Sequence, residues 1–231
     1  DLSQPVVMGI LNLTPDSFYD GGKYLHPDNQ LRRVDEMLAD GAAIIDIGSV
    51  SSRPGSHEVC SATESDRLLP SLKMLRHHFP DCFISVDTFR PEIARKAIEC
   101  GADMINDIYA GGYRVGMSDV IAETGVPYVI MHMRETPLTM QDNPEYEDVV
   151  EDIVSFFEEK LKKLGESSIE KIVIDPGFGF GKNLDQNFLL LKNLDRFQLL
   201  DVPVMVGLSR KSMINRALGI NPEDALNGTS V

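Results

Sequence analysis

Seven times along this chain a short apolar run stops on residues that can bind or react. The runs at 6–11, 43–47, 83–86, 104–105, 128–131, 172–174 and 204–206 are followed by a recurring set of polar groups. The first leads into Asn12-Leu13-Thr14-Pro15-Asp16-Ser17-Phe18, and the second into Gly48 and Ser51-Ser52-Arg53-Pro54-Gly55. The third, fourth and fifth end in Asp87-Thr88, Asn106-Asp107 and His132. The sixth ends in Asp175-Pro176-Gly177-Phe178-Gly179-Phe180-Gly181-Lys182 and the seventh in Ser209-Arg210-Lys211-Ser212. Carboxylates accept from N–H groups of a ligand, amides do both, and the cations suit phosphate or carboxylate. Each residue alone is ordinary loop punctuation, as an N-cap or turn former. Seven strand ends of seven, three of them with cations, point to one mouth where these groups converge. Asp46 and Asp107 are assigned to loop organisation.

The elements that must carry them alternate. The seven runs are rich in Val and Ile and nearly continuous in hydrophobicity, as strands covered on both faces are. Helical patterns lie between them: 31–38, 61 to about 78, 94–100 after Pro91, 146–164 stopped by Gly165, 188–197 and 213–218. Ser61-Ala62-Thr63-Glu64 has the spacing of a capping box. This βαβα order calls for a parallel sheet, either doubly wound or closed. Strand spacing over 231 residues favours a TIM (β/α)8 barrel whose last β/α unit is absent, with residues 222–231 reading as a helix. Residues 1–231 form one domain, without repeats or linkers.

Composition narrows the partners. Thirty-six acidic against 22 basic residues give a net charge of −14, which repels nucleic acid and anionic lipid. Small anionic substrates remain compatible where local cations or helix N-termini outweigh that field. Three scattered cysteines make neither a disulfide framework nor a zinc site, and a reducing cytoplasm fits them. No apolar run reaches membrane-spanning length. The Gly177–Lys182 stretch lacks both Walker and G-x-G-x-x-G spacing, and neither H-E-x-x-H nor G-x-S-x-G occurs. His77-His78 reads as a helix tail, where a cation suits the dipole.

The motifs in order resemble the dihydropteroate synthase family. Met8-Gly9-Ile10-Leu11-Asn12-Leu13-Thr14-Pro15-Asp16-Ser17-Phe18 is similar to its first signature. Ser52-Arg53-Pro54-Gly55, Ser85-Val86-Asp87-Thr88, Ile105-Asn106-Asp107-Ile108, the Asp175–Lys182 stretch and Ser209-Arg210-Lys211-Ser212 follow in the family's order. The resemblance spans essentially the whole chain and implies a pterin-binding (β/α)8 barrel. Its reaction joins 6-hydroxymethyl-7,8-dihydropterin pyrophosphate to p-aminobenzoate, releasing pyrophosphate and 7,8-dihydropteroate. The resemblance also implies an SN1-like course with Mg²⁺-assisted departure, sulfonamide competition at the p-aminobenzoate position, and a homodimer.

Residue by residue, it assigns Asp87, Asn106, Asp175, Lys211 and Met131 to the pterin. Asn12, Ser52 and Arg53 fall to the pyrophosphate, with Asn12 also the Mg²⁺ ligand. Phe18, Pro54, Phe180 and Ser212 fall to p-aminobenzoate, and Asp16, Arg53 and Lys211 to catalysis. The glycine-bearing loops at Gly21-Gly22 and Pro54-Gly55 are expected to close over bound pyrophosphate. Two departures stand out. Val50 replaces a Glu usual before Arg-Pro-Gly, and the family's final Arg-x-His motif has no counterpart here. Two rival readings exist: a corrinoid-linked methyltetrahydrofolate methyltransferase and a non-catalytic pterin-binding arm. Neither needs Thr14-Pro15-Asp16-Ser17-Phe18 or Ser209-Arg210-Lys211-Ser212 together with Asn12 and Arg53.

Overall fold

The computed structural model describes residues 2, 4–14, 26–51, 59–134, 144–221, 224–225 and 228–229. Strands and helices alternate: β1 (Val7–Asn12), α1 (Pro27–Ala39), β2 (Ala42–Gly48), α2 (Ser61–His78), β3 (Phe83–Asp87), α3 (Pro91–Glu99) and β4 (Met104–Asp107). There follow α4 (Met117–Thr124), β5 (Tyr128–Met131), α5 (Val149–Glu166), β6 (Ile172–Asp175), α6 (Leu184–Lys192), a 3₁₀ helix (Leu194–Leu200) and α7 (Ser212–Leu218). Every strand pairs in parallel with its predecessor, in the order β1 to β6. A doubly wound sheet reverses direction at a switch point; this one never does, which is the winding of a barrel.

The seventh expected strand is reduced to one parallel bridge, Ile174 to Val204. Its pairing is limited to two backbone bonds, Ile174 N–H to Pro203 O and Met205 N–H to Ile174 O, and Val206 is already exposed. Helix α4 has no counterpart among the expected helices; Gly116 and Gly125, both left-handed, frame its eight residues. The expected helix at 188–197 is instead α6 plus the 3₁₀ segment. Its true start is Asn183, whose side chain accepts from Gln186 N–H while Gln186 reciprocates. Gly165 does not stop α5, which runs on to Glu166. Most of 222–231 lies outside the described residues.

The Ser61–Glu64 capping box does not form. Cys60 is the N-cap of α2 and makes no side-chain cap bond. Ser61 Oγ instead donates to Glu92, and Glu64 turns inward. There, fully buried, it accepts from Thr88 Oγ1 at 2.6 Å and pairs with buried Arg90. Glu64 is drawn from the cap into an ion pair away from water, because a buried guanidinium left without a carboxylate is costly.

Two apolar layers result. Outside the sheet, Leu11, Ile45, Ile47, Val86, Ile105, Ile130 and Ile174 pack on the helices. Inside, Met104, Val129 and Val173 form a small cluster with Met8, Phe83 and Met205 against it. The site is built on this inner floor.

Candidate active site

Register places the candidate ligand groups. Asn12, Gly48, Asp87 and Asn106 are successive neighbours across β1 to β4. Alternation aims the same face of each strand inward, so the Asp87 and Asn106 side chains share the barrel mouth. Two residues deeper, Ile10, Asp46, Ser85 and Met104 form the next row. Asp46 is thus no loop organiser. It sits inside β2, buried, and accepts from Asn106 Nδ2 at 3.2 Å. Asp107 is one: it caps Tyr109 N–H at 2.9 Å and Gly111 N–H at 2.8 Å, and accepts from Tyr128 Oη at 2.7 Å.

Gly48 explains how Asp87 fits. A Cβ there would meet Asp87 Oδ2 at 3.3 Å and its Cβ at 3.4 Å, so the absent side chain leaves room for the carboxyl. Burial raises the Asp87 pKa well above the ordinary carboxylate range, and the charges of Asp46 and Asp107 raise it further. Burial also raises Asp46, opposed by Ser85 and Asn106, which favour its charged form. Carboxyls crowded in this way resist sharing negative charge and are poised to receive donor groups.

The opposite wall is the loop after β6. Asp175 is buried and accepts from Gly177 N–H at 2.8 Å. Burial raises its pKa, while Lys211, that backbone bond and Lys182 lower it. Gly177 has φ +72°, and a Cβ there would lie 2.0 Å from His132 O. Gly179, at φ +81°, leaves space for Lys211, whose Cδ would stand 3.2 Å from a Cβ. Lys211 follows Arg210, itself left-handed at φ +52°, and is the N-cap of α7. Its ammonium donates to Phe178 O and stands 4.7 Å from the centre of the Phe180 ring. Burial lowers its pKa; Asp175 opposes the shift.

Lys182 is committed elsewhere. Its ammonium donates to Gly177 O and Phe180 O, each at 2.9 Å, and meets His132 Nδ1 at 3.1 Å. It staples the loop rather than offering a cation to phosphate. Burial takes its pKa down to about 7, and that of His132 down to about 2.

Met131, the register partner of Asp175, joins Phe89 and Ile108 in a buried cluster. Phe180, Val50, Tyr109, Tyr113 and Met133 pack against it. Val50 therefore has an apolar packing role on this wall. Asn12 is partly buried, while Ser212 is exposed as the first residue of α7. Asp16, Phe18, Ser52, Arg53 and Pro54, with the loop closure expected of Gly21-Gly22 and Pro54-Gly55, lie outside the described residues. Both flanks of 52–58 are nevertheless tied to one buried unit. Ser49 Oγ donates to Glu64 O at 3.3 Å, and Arg90 Nη2 donates to Val59 O at 2.6 Å. Sequence reasoning missed that tie, Asp46 and the Lys182 staple. Only the burial of a charged residue in an apolar context hinted at Asp46.

Among the described residues no three His, Cys, Asp or Glu side chains gather to hold a metal, and no described helix is long and apolar enough to cross a membrane. A winding without reversal, with carboxylates and a lysine at the C-terminal strand ends, defines a barrel enzyme for a polar, donor-rich small molecule. Comparison with known proteins makes this specific. The pterin binding enzyme family matches residues 8–231. Dihydropteroate synthase of Escherichia coli strain K12 is 43% identical over 231 residues, covering 99% of this chain and 81% of that protein. Two solved structures align over 99% of the chain. The Yersinia pestis dihydropteroate synthase with a sulfonamide drug complex has TM-score 0.94 and 42% identity, covering 83% of that chain. The Thermus thermophilus enzyme in complex with 4-aminobenzoate has TM-score 0.87 and 38% identity, also covering 83%. The chain belongs to the dihydropteroate synthase family of pterin-binding TIM barrels, and it is a transferase.

Proposed function

We propose that residues 1–231 act as one pterin-binding unit that condenses 6-hydroxymethyl-7,8-dihydropterin pyrophosphate with p-aminobenzoate, yielding 7,8-dihydropteroate and pyrophosphate. The observation that carries this reading is the convergence of Asp87, Asn106, Asp175 and Lys211 on one mouth above an apolar floor. A pterin presents N–H donors beside acceptors on a flat ring. Asp175 and Asp87 receive the donors, Asn106 does both, and Lys211 donates to the ring carbonyl. Met131 and Phe180 line the ring's apolar faces, and Phe180 extends toward p-aminobenzoate.

Asn12, together with Ser52 and Arg53, takes the pyrophosphate end. Asn12 suits Mg²⁺: an uncharged oxygen at a strand end, without a carboxylate cluster among the described residues, fits an ion that keeps its waters and substrate phosphates. When bound, Mg²⁺ supplies neutralisation of the pyrophosphate charge. The C–O bond breaks before the arylamine attacks, so the protein needs no strong base for the amine. Asp16 stabilises the developing pterin cation. Phe18, Pro54 and Ser212 frame p-aminobenzoate, and sulfonamides compete there. Structures of relatives with 4-aminobenzoate and with a sulfonamide drug support p-aminobenzoate as the substrate and sulfonamides as its competitors. The protein works as a cytoplasmic homodimer.

Incubating the chain with both substrates and Mg²⁺ tests this. Pyrophosphate release in step with dihydropteroate formation is the expected result. Methyl transfer from methyltetrahydrofolate, or pterin binding without turnover, would overturn it. Size by light scattering checks the dimer.

A further inference from the structure

The residue below the pterin row has no part in the reading above, yet it touches one of its members. Asp46 accepts from Asn106 Nδ2 at 3.2 Å from a position one row deeper in the barrel. Both residues are at least nine-tenths buried. An amide side chain can be turned end for end at little steric cost, so something must choose which end faces the ligand. A carboxylate accepts and does not donate, so it selects the NH₂ end.

We propose that Asp46 is a positioning residue for the pterin site: by holding the Asn106 NH₂ from below, it turns the Asn106 carbonyl oxygen toward the mouth as an acceptor for a ring N–H. This rests on the pterin reading. It assigns the specificity of one contact to a group that does not touch the substrate. With Asn at position 46, the partner can donate as well as accept, and Asn106 populates both orientations. A ring N–H then meets an NH₂ in part of the molecules, and an unmatched donor in a buried site forfeits a hydrogen bond.

The test uses calorimetric binding of 6-hydroxymethyl-7,8-dihydropterin, without pyrophosphate, to the whole chain. Asp46→Asn is expected to weaken binding about tenfold, the scale of one hydrogen bond to a buried partner. In an Asn106→Ala background the same change is expected to have no further effect, a coupling that a merely structural role would not produce. Binding of D46N within twofold of wild type, or an equal further loss in the Asn106→Ala background, overturns the inference. Asp46→Ser, also uncharged, repeats the comparison if D46N does not fold, and the same pair of outcomes decides. Failure of the wild type itself to bind the pterin overturns the functional reading and this inference with it. Wild-type binding with an indifferent D46N overturns this inference alone.

Discussion

Replacing Arg90 by Met removes one half of an ion pair that has almost no contact with water. The side chains of Glu64 and Arg90 are 0% and 1% exposed, and the remaining partner of the Glu64 carboxylate is the Thr88 hydroxyl at 2.6 Å. A buried charge left uncompensated costs roughly 3–5 kcal/mol. For a domain of this size each kcal/mol moves Tm by roughly 2–4 °C, so Arg90→Met is expected to lower Tm by roughly 6–20 °C. The double change Glu64→Leu with Arg90→Met removes both charges and is expected to recover most of that loss, since apolar replacement of a buried pair is often neutral. The chain has no Trp, so far-UV circular dichroism in a urea series is the suitable measurement. Activity should part company with stability. The double variant lacks the Arg90 bond to Val59 O, next in sequence to residues 52–58, and turnover is expected to stay low in a refolded, stable protein. A loss below about 1 kcal/mol for the single variant, or a double variant as unstable as the sum of both singles, would refute the reasoning.

Three further outcomes follow from the site. Asp87→Asn is expected to raise Tm at neutral pH while abolishing pterin binding, because the native carboxyl is buried against Asp46 and Asp107; a lowered Tm in thermal scans would contradict this. His132 titrates near 6.5 when unfolded and near 2 when folded, so the unfolded chain binds the extra proton between those values and stability falls as pH drops below about 6.5. His132→Gln, in urea titrations from pH 7 to 4, should lack that share of the decline, worth about 1.4 kcal/mol per pH unit. Gly48→Ala places a methyl 3.3 Å from Asp87 Oδ2, and steady-state kinetics should show KM for the pterin substrate rising about tenfold; an unchanged KM would mean that Asp87 has room to spare.

Much of this was legible because a parallel barrel writes its strands as unbroken apolar runs and its chemistry at their ends. The runs leading to Asp87, Asn106 and Asp175 were located to within two residues. What escaped has physical causes. The α4 segment is only eight residues long, so its period is short, and its ends are set by glycine conformation rather than by a polar cap. Glu64 stands at the third position after Ser61, as a capping box requires, but its partner Arg90 is 26 residues away and invisible to local patterning. Asp46 lies inside a strand buried on both faces, where alternation no longer separates inward from outward residues. The Val204 bridge shows the converse: an apolar triplet promises a strand, but pairing depends on neighbours.

The inner floor has a consequence for ligands. Met8, Met104 and Met205 are three of the side chains on which the polar row rests. Unbranched thioethers change shape cheaply, whereas the Asp and Asn groups above them are held by register and hydrogen bonds. The depth of the pocket is therefore compliant while its hydrogen-bonding pattern is rigid. A compound with a bulkier buried end would be tolerated by rearrangement beneath it, but one with a misplaced donor would be rejected. Selectivity among inhibitors should follow the pattern of polar atoms around the ring edge more than the size of what lies under it.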